Sequence, residues 1–132
     1  MFLDTNILLH HFLQDDPDHS PKASAFLKRI EEGSVKVRTA DTVIFETVFT
    51  LQKAYRQPKQ AIAEALLPLL DLPGIVLPSK SRFRKVFSLY VEQNLPFADA
   101  YHAVLMEQLH LTEIVTFDTD FDKIKGITRV KL

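Results

Sequence analysis

The sequence predicts an α/β fold in which helices cover both faces of a parallel sheet of four to five strands. Short apolar segments at residues 1–3, 35–39, 75–77, 113–116 and 127–130 have the composition of buried strands. Helical segments, alone or in pairs, separate most of these segments. Because parallel neighbouring strands need crossover connections, which are usually helices, this alternation indicates the α/β class.

Caps and breakers predict the first two helices. The Asp-Thr-Asn turn at residues 4–6 precedes an apolar helix over residues 7–13. A second helix is predicted to be capped by Ser20, to have Pro21 at its first position and to end at Gly33.

Four further helices are predicted after the strand at residues 35–39. Asp41 or Thr42 is predicted to cap a helix that runs to about residue 55, and Pro58 begins another that ends near residue 68 or 70. Helices are then predicted from 79 to 93 and from Pro96 to about 109, with a loop or short helical turn at residues 118–125.

Composition limits the class of protein. A chain of 132 residues with 46% hydrophobic residues is long enough for one core, so we expect a single domain over residues 1–132. The absence of Cys excludes disulfides, thiolate metal sites and a cysteine nucleophile, and favours a reducing, cytoplasmic location. No apolar run approaches the roughly 20 residues of a membrane helix, so we expect no membrane association.

Charge gives little support for a nucleic-acid partner by itself, since the formal net charge is -1. Basic residues do cluster in two places, and each cluster is equally compatible with a solvated surface. The clusters are Lys80, Arg82, Arg84 and Lys85, and Lys123, Lys125, Arg129 and Lys131.

Acidic residues are predicted to gather at one edge of the sheet. Asp4 follows the first strand, Asp118 and Asp120 follow the fourth, and Glu46 and Asp99 lie in early turns of helices. The carboxyl ends of parallel strands and the amino-termini of helices meet at such an edge, where ligands bind. Each acid taken singly also fits a helix cap or a turn, except Glu46, whose mid-helix position does not suit a cap.

Packed carboxylates repel one another, and a divalent cation relieves that repulsion. The apolar neighbours of Glu46 and Asp99 strengthen the case, because an unpaired carboxylate is costly there. Oxygen ligands without thiolates favour Mg²⁺ or Mn²⁺, and such an ion suits phosphodiester hydrolysis.

Four blocks of sequence resemble, in order and spacing, the signature blocks of PIN domains. They are Asp4-Thr5-Asn6, Glu46 in the helix after the second strand, Phe97-Ala98-Asp99-Ala100, and Val115-Thr116-Phe117-Asp118-Thr119-Asp120-Phe121. The resemblance spans essentially the whole chain, whose length is typical of VapC-like toxins made of this domain alone.

The resemblance implies a three-layer α/β/α sandwich and Mg²⁺- or Mn²⁺-dependent endoribonuclease activity on RNA. It also implies frequent homodimers and inhibition by a cognate, VapB-like antitoxin protein. Asp4, Glu46, Asp99 and Asp118 would form an acidic quartet in which Asp4, Asp99 and Asp118 bind metal. Asp120 competes with Asp118 for the fourth position, and Thr5, Asn6 and Thr116 would be supporting polar groups.

Two other functions remain open on the sequence alone. Asp4 at the end of a first strand also resembles the nucleophile of haloacid-dehalogenase-like phosphatases, although that family normally has Asp where this chain has Asn6. A non-catalytic interaction domain is the other alternative. Phe83, between two arginines, is a candidate for stacking on RNA bases.

The five histidines are not predicted to bind metal. None of them forms the i, i+4 pair of a helical zinc site, and a packing or supporting role is favoured for His102, three residues after Asp99. The histidines are His10, His11, His19, His102 and His110.

Overall fold

A computed structural model describes all residues, 1–132, and the chain divides into two compact units, Met1–Lys80 and Ser81–Leu132. The elements of the first unit are α1 (Thr5–Leu13), α2 (His19–Glu31), β1 (Val37–Arg38), α3 (Asp41–Lys53), α4 (Lys59–Leu70) and β2 (Ile75–Val76). Those of the second are α5 (Lys80–Glu92, whose first residue closes the first unit), α6 (Phe97–Gln108), β3 (Glu113–Ile114), a 3₁₀ helix (Thr119–Lys123) and β4 (Thr128–Arg129).

All strand pairing is parallel, which confirms the predicted α/β class. In the first unit Phe2 forms a bridge with Arg38 of β1, and β1 pairs with β2 with Val37 opposite Ile75. In the second unit β3 pairs with β4, with Glu113 opposite Thr128.

The five predicted strand segments all take part in this pairing, but regular strand is shorter than the sequence predicts. Each strand has two residues, and the pairs belong to two separate sets, one in each unit. Single backbone hydrogen bonds extend the pairing by one residue, from the N–H of Thr39 to the carbonyl of Val76 and from the N–H of Val130 to the carbonyl of Ile114.

The core of the first unit is aliphatic. Helices α1, α2, α3 and α4 pack in the pairs α1 with α2, α1 with α3, and α3 with α4. Their inward faces carry fully buried side chains that include Leu8, Ile30, Ile44, Leu51 and Leu66. Burial of branched apolar side chains at about 1.5–3 kcal/mol each is the main stabilising contribution to such a unit.

The core of the second unit is aromatic. Phe83, Phe87 and Tyr90 of α5 pack with Phe97 of α6, with ring centroids 5.0–6.4 Å apart. Phe83 has no exposed surface, so this candidate for stacking on RNA bases is a core residue. The flanking arginines had suggested an exposed position for Phe83. Instead, α5 turns this aromatic side chain inward while Arg84 remains exposed.

Two predicted helix caps were also wrong. α2 begins at His19, and Ser20 is a buried residue of its first turn; Asp16 supplies the cap by accepting hydrogen bonds from the backbone N–H groups of Asp18 and His19. α3 follows Ala40, which gives no side-chain cap.

The predicted stop at Gly33 is confirmed. This residue follows α2 with φ +81°, and its N–H group donates to the carbonyl of Ile30. A left-handed backbone at this position suits glycine, which lacks the Cβ that makes such a conformation costly.

No helix of the chain combines the length and the hydropathy that a bilayer-spanning segment requires.

Candidate functional site

Asp4 lies where the first strand segment gives way to α1. The backbone of Leu3 donates to the carbonyl of Arg38, and the carbonyl of Leu3 accepts from the buried hydroxyl of Thr39. These bonds fix the end of the segment beside β1. Asp4 is the N-cap of α1, and its Oδ1 accepts from the backbone N–H of Thr5 at 2.8 Å.

Thr5 joins Asp4 to Glu46 within the first unit. Its side chain is buried, and Oγ1 donates to Glu46 Oε2 at 3.0 Å. A buried hydroxyl that donates to a carboxylate fixes the carboxylate's orientation. Thr5 thus contacts Asp4 through its backbone and orients Glu46 through its hydroxyl. Asn6, the next residue, is exposed.

Glu46 is exposed, so the apolar surroundings inferred for it from the sequence were wrong. Val43, Ile44, Thr47 and Val48 of α3 are buried and turn their side chains to the core. Glu46 lies on the opposite side of the same helix, and its apolar sequence neighbours do not enclose it.

The second unit brings three acidic side chains together. Asp99 lies in the first turn of α6, Asp118 is the N-cap of the 3₁₀ helix, and Asp120 lies within that helix. One carboxylate oxygen from each of the three lies within 4.8 Å of the others, and all three side chains are half-buried. This spacing is short enough for a single cation to contact all three after small side-chain adjustments.

The pKa values of Asp99 and Asp118 move in opposite directions. Burial, together with the hydrogen bond to Asp118 and its negative charge, raises the pKa of Asp99 to about 6. The backbone N–H of Asp120 and the hydrogen bond with Asp99 lower the pKa of Asp118. Without a cation and below about pH 6, Asp99 therefore carries a proton, which it donates to an ionised Asp118.

Further contacts fix the orientation of Asp118. Its Oδ1 accepts from the N–H of Asp120 at 2.9 Å, and its own N–H donates to Thr116 Oγ1 at 3.0 Å. Asp120 instead pairs with Lys123, at 3.0 Å. Of the two acids that competed for the last position of the quartet, Asp118 is the one hydrogen-bonded to Asp99.

Several basic side chains predicted as a possible nucleic-acid surface have partners within their own unit. Lys85 pairs with Glu107 at 3.0 Å, and Arg129 donates two hydrogen bonds of 2.8 Å to Asp122. Arg82 donates to Gln108 and to the hydroxyl of Tyr101. These pairs are largely exposed, where such interactions contribute little to stability.

Comparison with known proteins adds an independent observation. The model of the PIN domain family matches residues 1–127. The chain belongs to the PIN domain family. This assignment agrees with the four sequence blocks and confirms the resemblance stated from them.

The PIN chain is also similar to an individual relative. It is 25% identical, over 122 residues, to a protein described as "VapC ribonuclease" from Aquifex aeolicus (strain VF5). The match covers 92% of this chain and 90% of the relative, so the similarity extends over most of both proteins.

One cluster of possible ligands in this PIN chain was missed by the sequence analysis. His10, Asp16 and His19 each offer a ligand atom, and these atoms lie within 4.8 Å of one another. The search for an i, i+4 pair could not find them, because His10 lies in the last turn of α1 and His19 begins α2. A useful signal would have been two histidines on either side of a short loop that also contains an acid.

Proposed function

We propose that this protein is a metal-dependent endoribonuclease that hydrolyses RNA phosphodiester bonds, and that residues 1–132 act as one nuclease domain. The relevant acids are Asp4 and Glu46 in the first unit and Asp99 and Asp118 in the second. That all four serve one reaction rests on the PIN family membership and on the blocks that carry them.

The observation that carries the proposal is the Asp99, Asp118 and Asp120 cluster. Three carboxylates with ligand atoms within 4.8 Å, one with its pKa raised to about 6, form a group that is electrostatically unfavourable when fully ionised. A structural role alone does not explain why a half-buried acid is held against two others. Perturbed acids of this kind are typical of functional sites.

The donor set fits Mg²⁺ or Mn²⁺, because it consists of hard carboxylate oxygens without sulfur or imidazole ligands. Asp99 and Asp118 would hold the ion in the second unit, and Asp4 is the proposed ligand from the first. Such an ion, when bound, supplies Lewis-acid stabilisation of phosphate charge and a bound water of lowered pKa.

The side chains of this chain have distinct roles in the proposed reaction. Asp118 remains ionised and is held in place by the N–H of Asp120, while Thr116 accepts from its backbone. Asp99 would bind a cation in its ionised form, which predominates above about pH 6. Glu46, held by Thr5, is accessible to solvent and is proposed to orient a water or a substrate hydroxyl.

We further propose that the protein is the toxin of a toxin–antitoxin pair, acts in the cytoplasm, and forms homodimers that a VapB-like antitoxin inhibits. The similarity to a protein described as VapC ribonuclease supports this role. Exposed apolar side chains, among them Phe49 in the first unit and Phe117 in the second, offer surface for protein partners.

Metal-dependent cleavage of RNA tests the enzymatic proposal. We expect the purified protein to cleave a structured RNA in the presence of Mg²⁺ or Mn²⁺ and to leave a small phosphomonoester intact. Addition of EDTA should abolish the cleavage. Hydrolysis of the monoester alone would instead support a phosphatase that uses Asp4. Inertness towards both substrates, with metal present, would contradict the nuclease proposal and favour a binding domain.

Removing the hydroxyl of Thr5 should impair cleavage without a large change of shape. Thr5→Val deletes the donor to Glu46, and loss of a supporting hydrogen bond of this kind typically costs about 10–100-fold in activity. The measurement is the RNA cleavage rate at saturating Mg²⁺.

Thr5→Ser is the matched control, because it keeps the hydroxyl and should retain a rate close to that of the wild type. If Thr5→Val is as active as Thr5→Ser, then the bond from Thr5 to Glu46 has no role in the reaction.

A further inference from the structure

A second set of possible metal ligands lies entirely within the first unit and contains none of the proposed nuclease residues. His10 is in the last turn of α1, Asp16 is in the loop after it, and His19 is the first residue of α2. The three offer two imidazole nitrogens and a carboxylate oxygen, and these ligand atoms all lie within 4.8 Å of one another.

Asp16 is held in place by hydrogen bonds to both of its carboxylate oxygens, and His19 is one of its partners. Asp16 Oδ1 accepts from the N–H groups of Asp18 and His19 at 2.9 and 2.8 Å, and Oδ2 lies 2.9 Å from Nδ1 of His19. The backbone of Ser20 also donates to the carbonyl of Asp16 at 3.0 Å. Ligands that are already fixed in place lose little conformational entropy when they bind a cation.

Capping of α2 does not account for the position of His10. Its ring stacks on that of His19, with centroids 5.1 Å apart and an angle of 25° between the planes. Its Nδ1 also lies 3.8 Å from Asp15, which places a second carboxylate beside the cluster. The packing of α1 against α2 brings two imidazoles and two carboxylates to one surface.

We propose that His10, Asp16 and His19 form a binding site for a divalent transition-metal ion, for which Zn²⁺ is the natural probe. Imidazole nitrogen is a borderline ligand that favours Zn²⁺ and its neighbours over Mg²⁺, and two imidazoles with one carboxylate are a known zinc donor set. Three protein ligands leave a fourth position for water or for Asp15. The ion braces the end of α1 against the start of α2.

The chemistry of this site differs from that of the acidic cluster in the second unit. Asp99, Asp118 and Asp120 offer only oxygen and suit Mg²⁺ or Mn²⁺, whereas the histidine site offers nitrogen. Excess Mg²⁺ therefore occupies the carboxylate cluster while leaving the histidine site free for Zn²⁺. The two sites can be tested separately, and the histidine site does not depend on the proposed nuclease activity.

The test is a Zn²⁺ titration of the full, metal-stripped chain by calorimetry in excess Mg²⁺, together with thermal melts. The wild type should bind one Zn²⁺ per chain and gain at least about 4 °C in Tm, since a ligand that binds the folded state stabilises it. His10→Gln/His19→Gln should lose that Zn²⁺ and the gain in Tm. This double variant keeps both backbone N–H hydrogen bonds to Asp16. If the double variant does not fold, the single variants His10→Gln and His19→Gln are measured in its place.

His110→Gln is the matched control, because His110 is an exposed histidine of the second unit. It should bind Zn²⁺ as the wild type does. The proposal is overturned if the wild type binds no Zn²⁺ in excess Mg²⁺, if the His10 and His19 variants bind it unchanged, or if His110→Gln loses it equally.

Discussion

Asp99→Asn is expected to reduce the RNA cleavage rate by at least about 100-fold. Loss of a partner outside the metal's direct ligands costs about 10–100-fold, so loss of a proposed ligand should cost at least the upper value. The amide keeps the size of the side chain but cannot supply a negatively charged oxygen beside Asp118. The measurement is the single-turnover cleavage rate with saturating Mg²⁺.

The same substitution should leave the metal-free fold intact. Burial and Asp118 raise the pKa of Asp99 to about 6, above its value in an unfolded chain. Its ionisation therefore destabilises the folded state as pH rises through about 6, and this cost disappears at acid pH, where Asp99 is protonated in both states. Asn carries no charge, so Asp99→Asn should be at least as stable as the wild type at neutral pH.

Asp18→Asn is the matched control for this prediction, because it makes the same change at an exposed acid that pairs only with Lys22 among charged side chains. It should cleave RNA at the rate of the wild type. Full activity in Asp99→Asn would remove Asp99 from the mechanism.

Phe83→Ala is expected to lower the free energy of unfolding by about 3–5 kcal/mol, as large-to-small changes of fully buried aromatic residues do. Phe83 has 0% exposed surface and contacts the rings of Phe87, Phe97 and Tyr101. Removing its ring leaves a cavity in the aromatic core of the second unit. Urea denaturation followed by circular dichroism measures the change.

Phe117→Ala is the comparison, because its side chain is 86% exposed. Its effect on stability should stay within about 0.5 kcal/mol. If Phe83→Ala unfolds at the same urea concentration as the wild type but binds RNA poorly, then Phe83 is a surface residue after all and the aromatic core described above is incorrect.

Local signals in the sequence predicted most of the fold. Proline marks the starts of α4 and α6, and glycine marks the end of α2. These boundaries were predicted well, because they depend on backbone sterics that act over only a few residues. The cap of α2 was not, because the side chain of Asp16 accepts from the N–H groups of Asp18 and His19 at the start of the helix, while Ser20 is buried.

The candidate site was predicted to a different extent in each unit. The proximity of Asp99 to Asp118 and Asp120 follows from the positions of these acids at a helix start and after a strand, which the pattern of elements revealed. The exposure of Glu46 could not be deduced, since apolar sequence neighbours do not show which way a helix faces. The cluster of His10, Asp16 and His19 could not be deduced either, because it depends on the angle at which α1 packs against α2.

Crystals soaked in Mn²⁺ provide the most direct test of whether the clustered carboxylates of Asp99, Asp118 and Asp120 bind a cation. We expect an anomalous scattering peak bonded to oxygens of Asp99 and Asp118, and its loss in Asp99→Asn crystals. A wild-type crystal at saturating Mn²⁺ with no peak at these oxygens would contradict the account.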